Sequence, residues 1–135
     1  MKKFRHGKMY KAKENTVWGV YEGKNLTTRQ VSTTDKFVYN SQYNWLMKES
    51  GAFRIENANN YIDKFEPYIT ADDKQMYKES QIRSAECAMQ GLLSNPSLVP
   101  DMDFSYKGVA RVACQLASAL LREMIDEEYY DEESL

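Results

Sequence analysis

At 135 residues, with 42% hydrophobic and 13% aromatic content, the chain is sized for one domain or two small modules sharing a core, and it is too apolar for global disorder. No apolar run approaches the roughly 18 residues needed to cross a bilayer, and the basic start (Lys2, Lys3, Arg5, Lys8) lacks the apolar stretch of a secretory signal, so a cytoplasmic protein without membrane contact is expected. The net charge of −2 conceals a split: residues 1–70 carry 12 Lys/Arg against 7 Asp/Glu, and residues 71–135 carry 6 against 13.

Residues 9–65 are rich in Tyr, Thr and Val and are broken by turn formers, which is a strand signature. Strands are predicted at residues 9–12 and 17–21, joined through Lys13-Glu14-Asn15. Glu22-Gly23-Lys24-Asn25 turns the chain into a strand over 26–32, and Thr33-Thr34-Asp35 separates that from Phe37-Val38-Tyr39. Residues 41–49 read as a strand or a short helix, ended by Gly51. Residues 52–56 alternate, with Phe53 and Ile55 inward and Arg54 and Glu56 outward. The turn cluster Asn57-Ala58-Asn59-Asn60 leads to a further strand over 61–65. Short strands at this spacing predict a small, bent antiparallel sheet or SH3-like barrel over residues 1–69.

The character changes at residues 67–70. Thr70-Ala71-Asp72-Asp73 resembles a capping box with Asp in place of Glu. Met76, Ile82, Ala85, Met89, Leu92 and Leu93 follow at helical spacing until Asn95-Pro96, where the residue before proline leaves the α region. The helix is about 22 residues or roughly 33 Å long. A second start near Ser105 opens a stripe of Val109, Ala113, Leu116, Ala117, Leu120 and Met124. Ala85, Ala88, Ala110, Ala113 and Ala117 permit close approach of the two axes. An antiparallel helical hairpin is therefore predicted over 70–128, with an acidic tail at 129–135, and the fold class is α+β. The apolar residues Leu98, Val99, Met102 and Phe104 predict a connecting loop folded over the hairpin or the sheet. Cys87 and Cys114 fall at similar heights on the two helices. Small buried thiols are expected, with a disulfide only if both point into the seam.

The segment Ala85-Glu86-Cys87-Ala88-Met89-Gln90-Gly91-Leu92-Leu93-Ser94-Asn95-Pro96, answered by Val109-Ala110-Arg111-Val112-Ala113-Cys114-Gln115-Leu116-Ala117-Ser118-Ala119-Leu120-Leu121, resembles a helical segment that recurs in small proteins of tailed bacteriophages and prophages. The match covers residues 85–123. The resemblance implies a phage or prophage origin and a local helical fold. It brings no functional residue with it, and residues 1–70 lie outside it.

Sequence motifs for chemistry are sparse. Gly91 and Gly108 are isolated, and Gly19 and Gly23 lack the frame of a phosphate-binding loop. His6 is the sole histidine, so no Cys/His metal set forms and any Ser/His/Asp relay would have to run through it. A non-enzymatic protein without a cofactor or metal is expected. Three binding modes remain. The leading one is a protein partner, a host or phage macromolecule such as a host enzyme or defence factor, engaged through the ten tyrosines or the acidic tail. The second is nucleic acid held by Lys2, Lys3, Arg5, Lys8, Lys11 and Lys13, with Tyr10, Trp18 and Tyr21 as stacking surfaces. The third is a small-ligand (nucleotide) sequestering oligomer. Self-association, giving a homo-oligomer, is predicted through Leu116, Leu120, Leu121, Met124 and Ile125.

Overall fold

The computed structural model of the chain describes residues 2–94 and 105–132. Expectations for Asn95-Pro96 and for Leu98, Val99, Met102 and Phe104 lie outside these residues. The chain divides into two compact units, one made of the segment up to Ile69 together with the segment from Tyr129, the other of Thr70–Glu128.

In the first unit, strands β1 (Lys2–Phe4), β2 (Met9–Ala12), β3 (Thr16–Glu22), β4 (Asn25–Val31), β5 (Phe37–Asn40), β6 (Trp45–Lys48), β7 (Arg54–Glu56) and β8 (Phe65–Pro67) precede the helices, and β9 (Tyr130–Glu132) follows them. Seven of these form one antiparallel sheet in the order β4-β3-β7-β6-β5-β2-β8, while β1 and β9 make a separate antiparallel pair. Among the described residues the sheet is open, with β4 and β8 as its edges, so of the two forms expected, a bent sheet or an SH3-like barrel, the structure shows the open sheet. The β3–β4 hairpin turns at Gly23-Lys24, and Gly23 has φ of +63°. Positive φ at the first of two loop residues is what a type II′ turn demands, and glycine meets it without steric cost.

Alternation decides which residues enter the core. Tyr10, Ala12, Val20, Val31, Phe37, Tyr39, Leu46 and Ile55 are buried from one face of the strands, and Phe53, Phe65, Ala58 and Phe4 join them. The rings interlock, with centroids 4.5 Å apart for Phe4 and Tyr10, 5.8 Å for Phe37 and Phe65, and 5.9 Å for Phe37 and Phe53. A polar chain ties β1 to this core. The Phe4 amide donates to Asn59 Oδ1 (3.0 Å), Asn59 Nδ2 donates to the Tyr39 hydroxyl (2.8 Å), and that hydroxyl donates to Asn44 Oδ1 (3.0 Å).

The structure corrects or sharpens three expectations. Residues 61–65 are not a strand: Ala58–Lys64 is a 3₁₀ helix, entered through Asn57 in the left-handed region (φ 56°), and only Phe65 starts β8. The clustered asparagines carry the chain into a tight helical turn because Asn tolerates left-handed backbone. Residues 41–49 split into a turn, held by Asn40 Oδ1 accepting the amides of Gln42 and Tyr43, and the strand β6. The acidic tail begins as the strand β9, in register with Lys2, Lys3 and Phe4.

The second unit is the helical hairpin of α1 (Ala71–Ser94) and α2 (Tyr106–Tyr129). Thr70 Oγ1 accepts the Asp73 amide (3.2 Å) and Ser105 Oγ accepts that of Gly108 (3.1 Å), so both helices start at side-chain caps. The Gln81 amide donates to Ser118 Oγ at 2.9 Å, and the Tyr77 hydroxyl donates to Glu128. Early α1 therefore lies beside late α2, the antiparallel arrangement. Val109, Ala113 and Ala117 are buried with Tyr77 and Leu92. Cys87 and Cys114 are both exposed and unbridged, which overturns the buried-thiol expectation: neither falls on the buried side of its helix. Under native conditions a thiol reagent is expected to titrate both cysteines within minutes. Protection until unfolding would mean that this surface is covered.

Candidate functional site

Lys2, Lys3, Arg5 and Lys8 face the C-terminal segment of their own unit. Lys2 opposes Glu132 and Lys3 opposes Asp131 in the β1–β9 register. Arg5 Nε reaches Asp131 Oδ1 at 3.0 Å and its Nη2 donates to the Tyr130 carbonyl at 3.0 Å. The ammonium groups of Lys2 and Lys8 lie 4.3 and 5.4 Å from the ring centres of Tyr130 and Tyr129. Lys11 pairs with Glu66 (3.4 Å), while Lys13 is exposed and its amide bonds Lys64. The basic run is thus divided between two carboxylate-bearing strands and a surface turn, not gathered into one strip.

The aromatic members of that reading behave differently again. Tyr10 is fully buried; its hydroxyl donates to the Tyr129 carbonyl and accepts the Arg5 amide. Burial pushes its ionisation well above the ordinary tyrosine range, with Arg5 opposing in part. A ring with no exposed face cannot stack on a base, so Tyr10 is corrected from contact residue to core residue. Trp18 is half-buried, with its ring against Tyr61 (4.8 Å) and Phe65 (5.3 Å). His6 Nδ1 accepts the Ser41 amide at 3.0 Å and lies 3.3 Å from Ser41 Oγ, an arrangement that braces the Asn40 turn.

The sheet face opposite the core brings together residues that the sequence leaves scattered. Leu26, Tyr21, Arg54, Met47, Val38 and Met9 stand in continuous cross-strand register on β4, β3, β7, β6, β5 and β2. One row further, Trp45 opposes Glu56. The Arg54 guanidinium lies 4.7 Å from the Trp45 ring centre and 5.5 Å from that of Tyr21, and Tyr43 stacks on Trp45 at 4.4 Å and 17°. Glu56 holds Arg54 at 3.1 Å. Tyr43, Leu26 and Val17 are 55, 66 and 61% exposed. The sequence signalled this site only through the outward reading of Arg54 and Glu56 and through Tyr21 as a stacking surface, because cross-strand neighbours become visible only with register.

Elsewhere in this unit, Thr34, Asp35, Lys36, Lys48, Glu49 and Ser50 line a shallow hollow. Its lysines are neutralised locally, Lys48 by Asp35 at 3.8 Å and Lys36 by Glu49 at 3.9 Å. Among the described residues no group of three metal-ligating side chains assembles, and no helix is long and apolar enough to cross a membrane. In the helical unit, Leu116, Leu120 and Met124 are exposed, and Leu121 and Ile125 are half-buried. No protein-family model, curated protein or solved structure matches the chain.

Proposed function

We propose that the chain is a non-enzymatic accessory protein, of the phage or prophage origin its helical segment suggests, that binds a host or phage protein through the outer sheet face centred on Trp45 and Arg54. The observation that carries this reading is the Tyr43–Trp45–Arg54–Tyr21 ladder, set in a row with Leu26, Met47, Val38 and Met9. Tyr, Trp, Met and Arg are the residues that interfaces favour at their centres, where rigid rings supply contact area at small entropic cost.

The same face argues for a protein over a polyanion. Arg54, at its centre, is held by Glu56 at 3.1 Å. A nucleic acid would have to displace that carboxylate from Arg54, whereas a protein surface of mixed charge would not. Capture from bacterial lysate tests the reading. Wild type and a Lys11→Ala/Lys13→Ala variant are expected to retain the same protein, and a Trp45→Ser/Arg54→Ser variant with an unchanged fold by circular dichroism is expected to lose it. Retention that nuclease abolishes, or that the lysine variant loses instead, would overturn it.

A further inference from the structure

The two edges of the seven-stranded sheet are built differently. β8 has three residues, buries Phe65 and includes Pro67, the kind of short, proline-bearing edge that resists pairing with another chain. β4 has seven residues, Asn25-Leu26-Thr27-Thr28-Arg29-Gln30-Val31, and among the described residues it pairs with β3 alone. It has no proline and its single charge, Arg29, is already held by Glu22. Hairpin geometry fixes which backbone groups face outward. The two-residue loop makes Glu22 and Asn25 a hydrogen-bonded pair, and such pairs alternate along an antiparallel ladder. Asn25, Thr27, Arg29 and Val31 therefore point their amide and carbonyl groups at β3, and Leu26, Thr28 and Gln30 point theirs away.

We propose that a second copy of the chain occupies this edge, β4 pairing antiparallel with the partner's β4 about a two-fold axis at Thr28. The three outward residues are symmetric about Thr28, so one register engages them all. Thr28 meets the partner's Thr28 and Leu26 meets the partner's Gln30, giving about six backbone hydrogen bonds at two per pair. Charge fits the same register. Arg29 lies across from the partner's Thr27, so the two guanidinium groups do not face each other, and threonine pairs are favourable across strands. The result is one sheet continuous through both copies, with the isologous symmetry of most homodimers. Pairing through backbone along a single edge buries less than a standard interface, so the dimer is weak and concentration-dependent. This inference is separate from the protein-partner reading, which uses the face of the sheet and not its edge.

Thr28 is exposed, so charged residues are accommodated there by the monomer but meet their own copies at the axis. Light scattering of wild type across a micromolar-to-millimolar series is expected to show a monomer–dimer transition. Thr28→Lys and Thr28→Glu are each expected to weaken it at least tenfold with unchanged thermal melts, and an equimolar mixture of the two is expected to dimerise again. Leu120→Lys, on the exposed helical stripe, is expected to leave it intact. A wild type that stays monomeric throughout overturns the proposal. So does an association that Thr28→Lys spares, or one that Leu120→Lys abolishes. A mixture that remains monomeric overturns the Thr28 register.

Discussion

Phe65→Ala is expected to lower the free energy of unfolding of the β-rich unit by about 3–5 kcal/mol, the range for removing a buried phenylalanine. Phe65 is 1% exposed and its ring lies 5.3, 5.8 and 6.4 Å from those of Trp18, Phe37 and Phe4. The truncation therefore opens a hole bordered by three large rings, none of which can collapse into it without leaving its own neighbours. Against the roughly 5–15 kcal/mol that holds a typical domain together, this loss brings the unit close to unfolding at room temperature. Urea melts followed by tryptophan fluorescence measure it directly, since Trp18 reports on the same cluster. Phe65→Leu keeps most of the volume and is expected to cost clearly less. Equal melts for wild type and Phe65→Ala would mean that the ring cluster is not the centre of the core.

Raising the pH is expected to destabilise the same unit through Tyr10, from about pH 10 upward. Its hydroxyl is enclosed, donating to the Tyr129 carbonyl and accepting the Arg5 amide, with Asp131 and the Tyr129 side chain also nearby. Burial, the largest cause, raises its ionisation well above the ordinary value. The sign follows. Below about pH 10 both folded and unfolded chains keep the proton, and the contribution is fully present. As pH rises further, the unfolded chain releases the proton while the folded chain retains it, so each pH unit in that window costs about 1.4 kcal/mol. Tyr10→Phe separates this effect from the titration of lysines. At neutral pH it is expected to cost about 1–3 kcal/mol, because the Arg5 amide and the Tyr129 carbonyl lose their partner. Its further loss between about pH 8 and about pH 11 should be smaller than that of wild type. Parallel alkaline losses for the two proteins would remove Tyr10 as the cause.

The parts of the fold that were legible in the sequence are those set by local rules. Residues 9–12, the turn at Gly23-Lys24, the inward Phe53 and Ile55, and the caps at Thr70 and Ser105 all lie where periodicity and turn chemistry put them. Misreadings arose where a distant segment decides. Lys2–Phe4 is a strand only because Tyr130–Glu132 pairs with it, and neither triplet has enough length to declare itself. Asn57–Asn60 carries turn residues compatible with several conformations, and packing of Ala58 in the core selects the 3₁₀ helix. On the helices, spacing located the apolar residues but not their sides: Ala113 and Ala117 enter the seam while Leu116 and Leu120 stay outside.

The candidate site shows the same limit more sharply. Basic residues close together in sequence drew attention to the N-terminus, yet Arg5 and Lys11 turn to carboxylates on β9 and β8. Tyr21, Trp45 and Arg54 are far apart along the chain and meet because β7 lies between β3 and β6. Strand order is a tertiary property, and a single sequence without register offers no route to it.

The pairing of β1 with β9 has a consequence for the order of assembly. Phe4 and Tyr10 pack against Tyr130, and the Tyr10 hydroxyl reaches Tyr129, residues separated from them by the whole helical hairpin. On the ribosome, the seven-stranded sheet leaves the exit tunnel well before its last two aromatic neighbours are synthesised. Domains whose sequence is contiguous finish folding as they emerge. Here the unit that holds the sheet is closed by a strand made only after the helical hairpin, once a loop entropy set by more than a hundred intervening residues has been overcome.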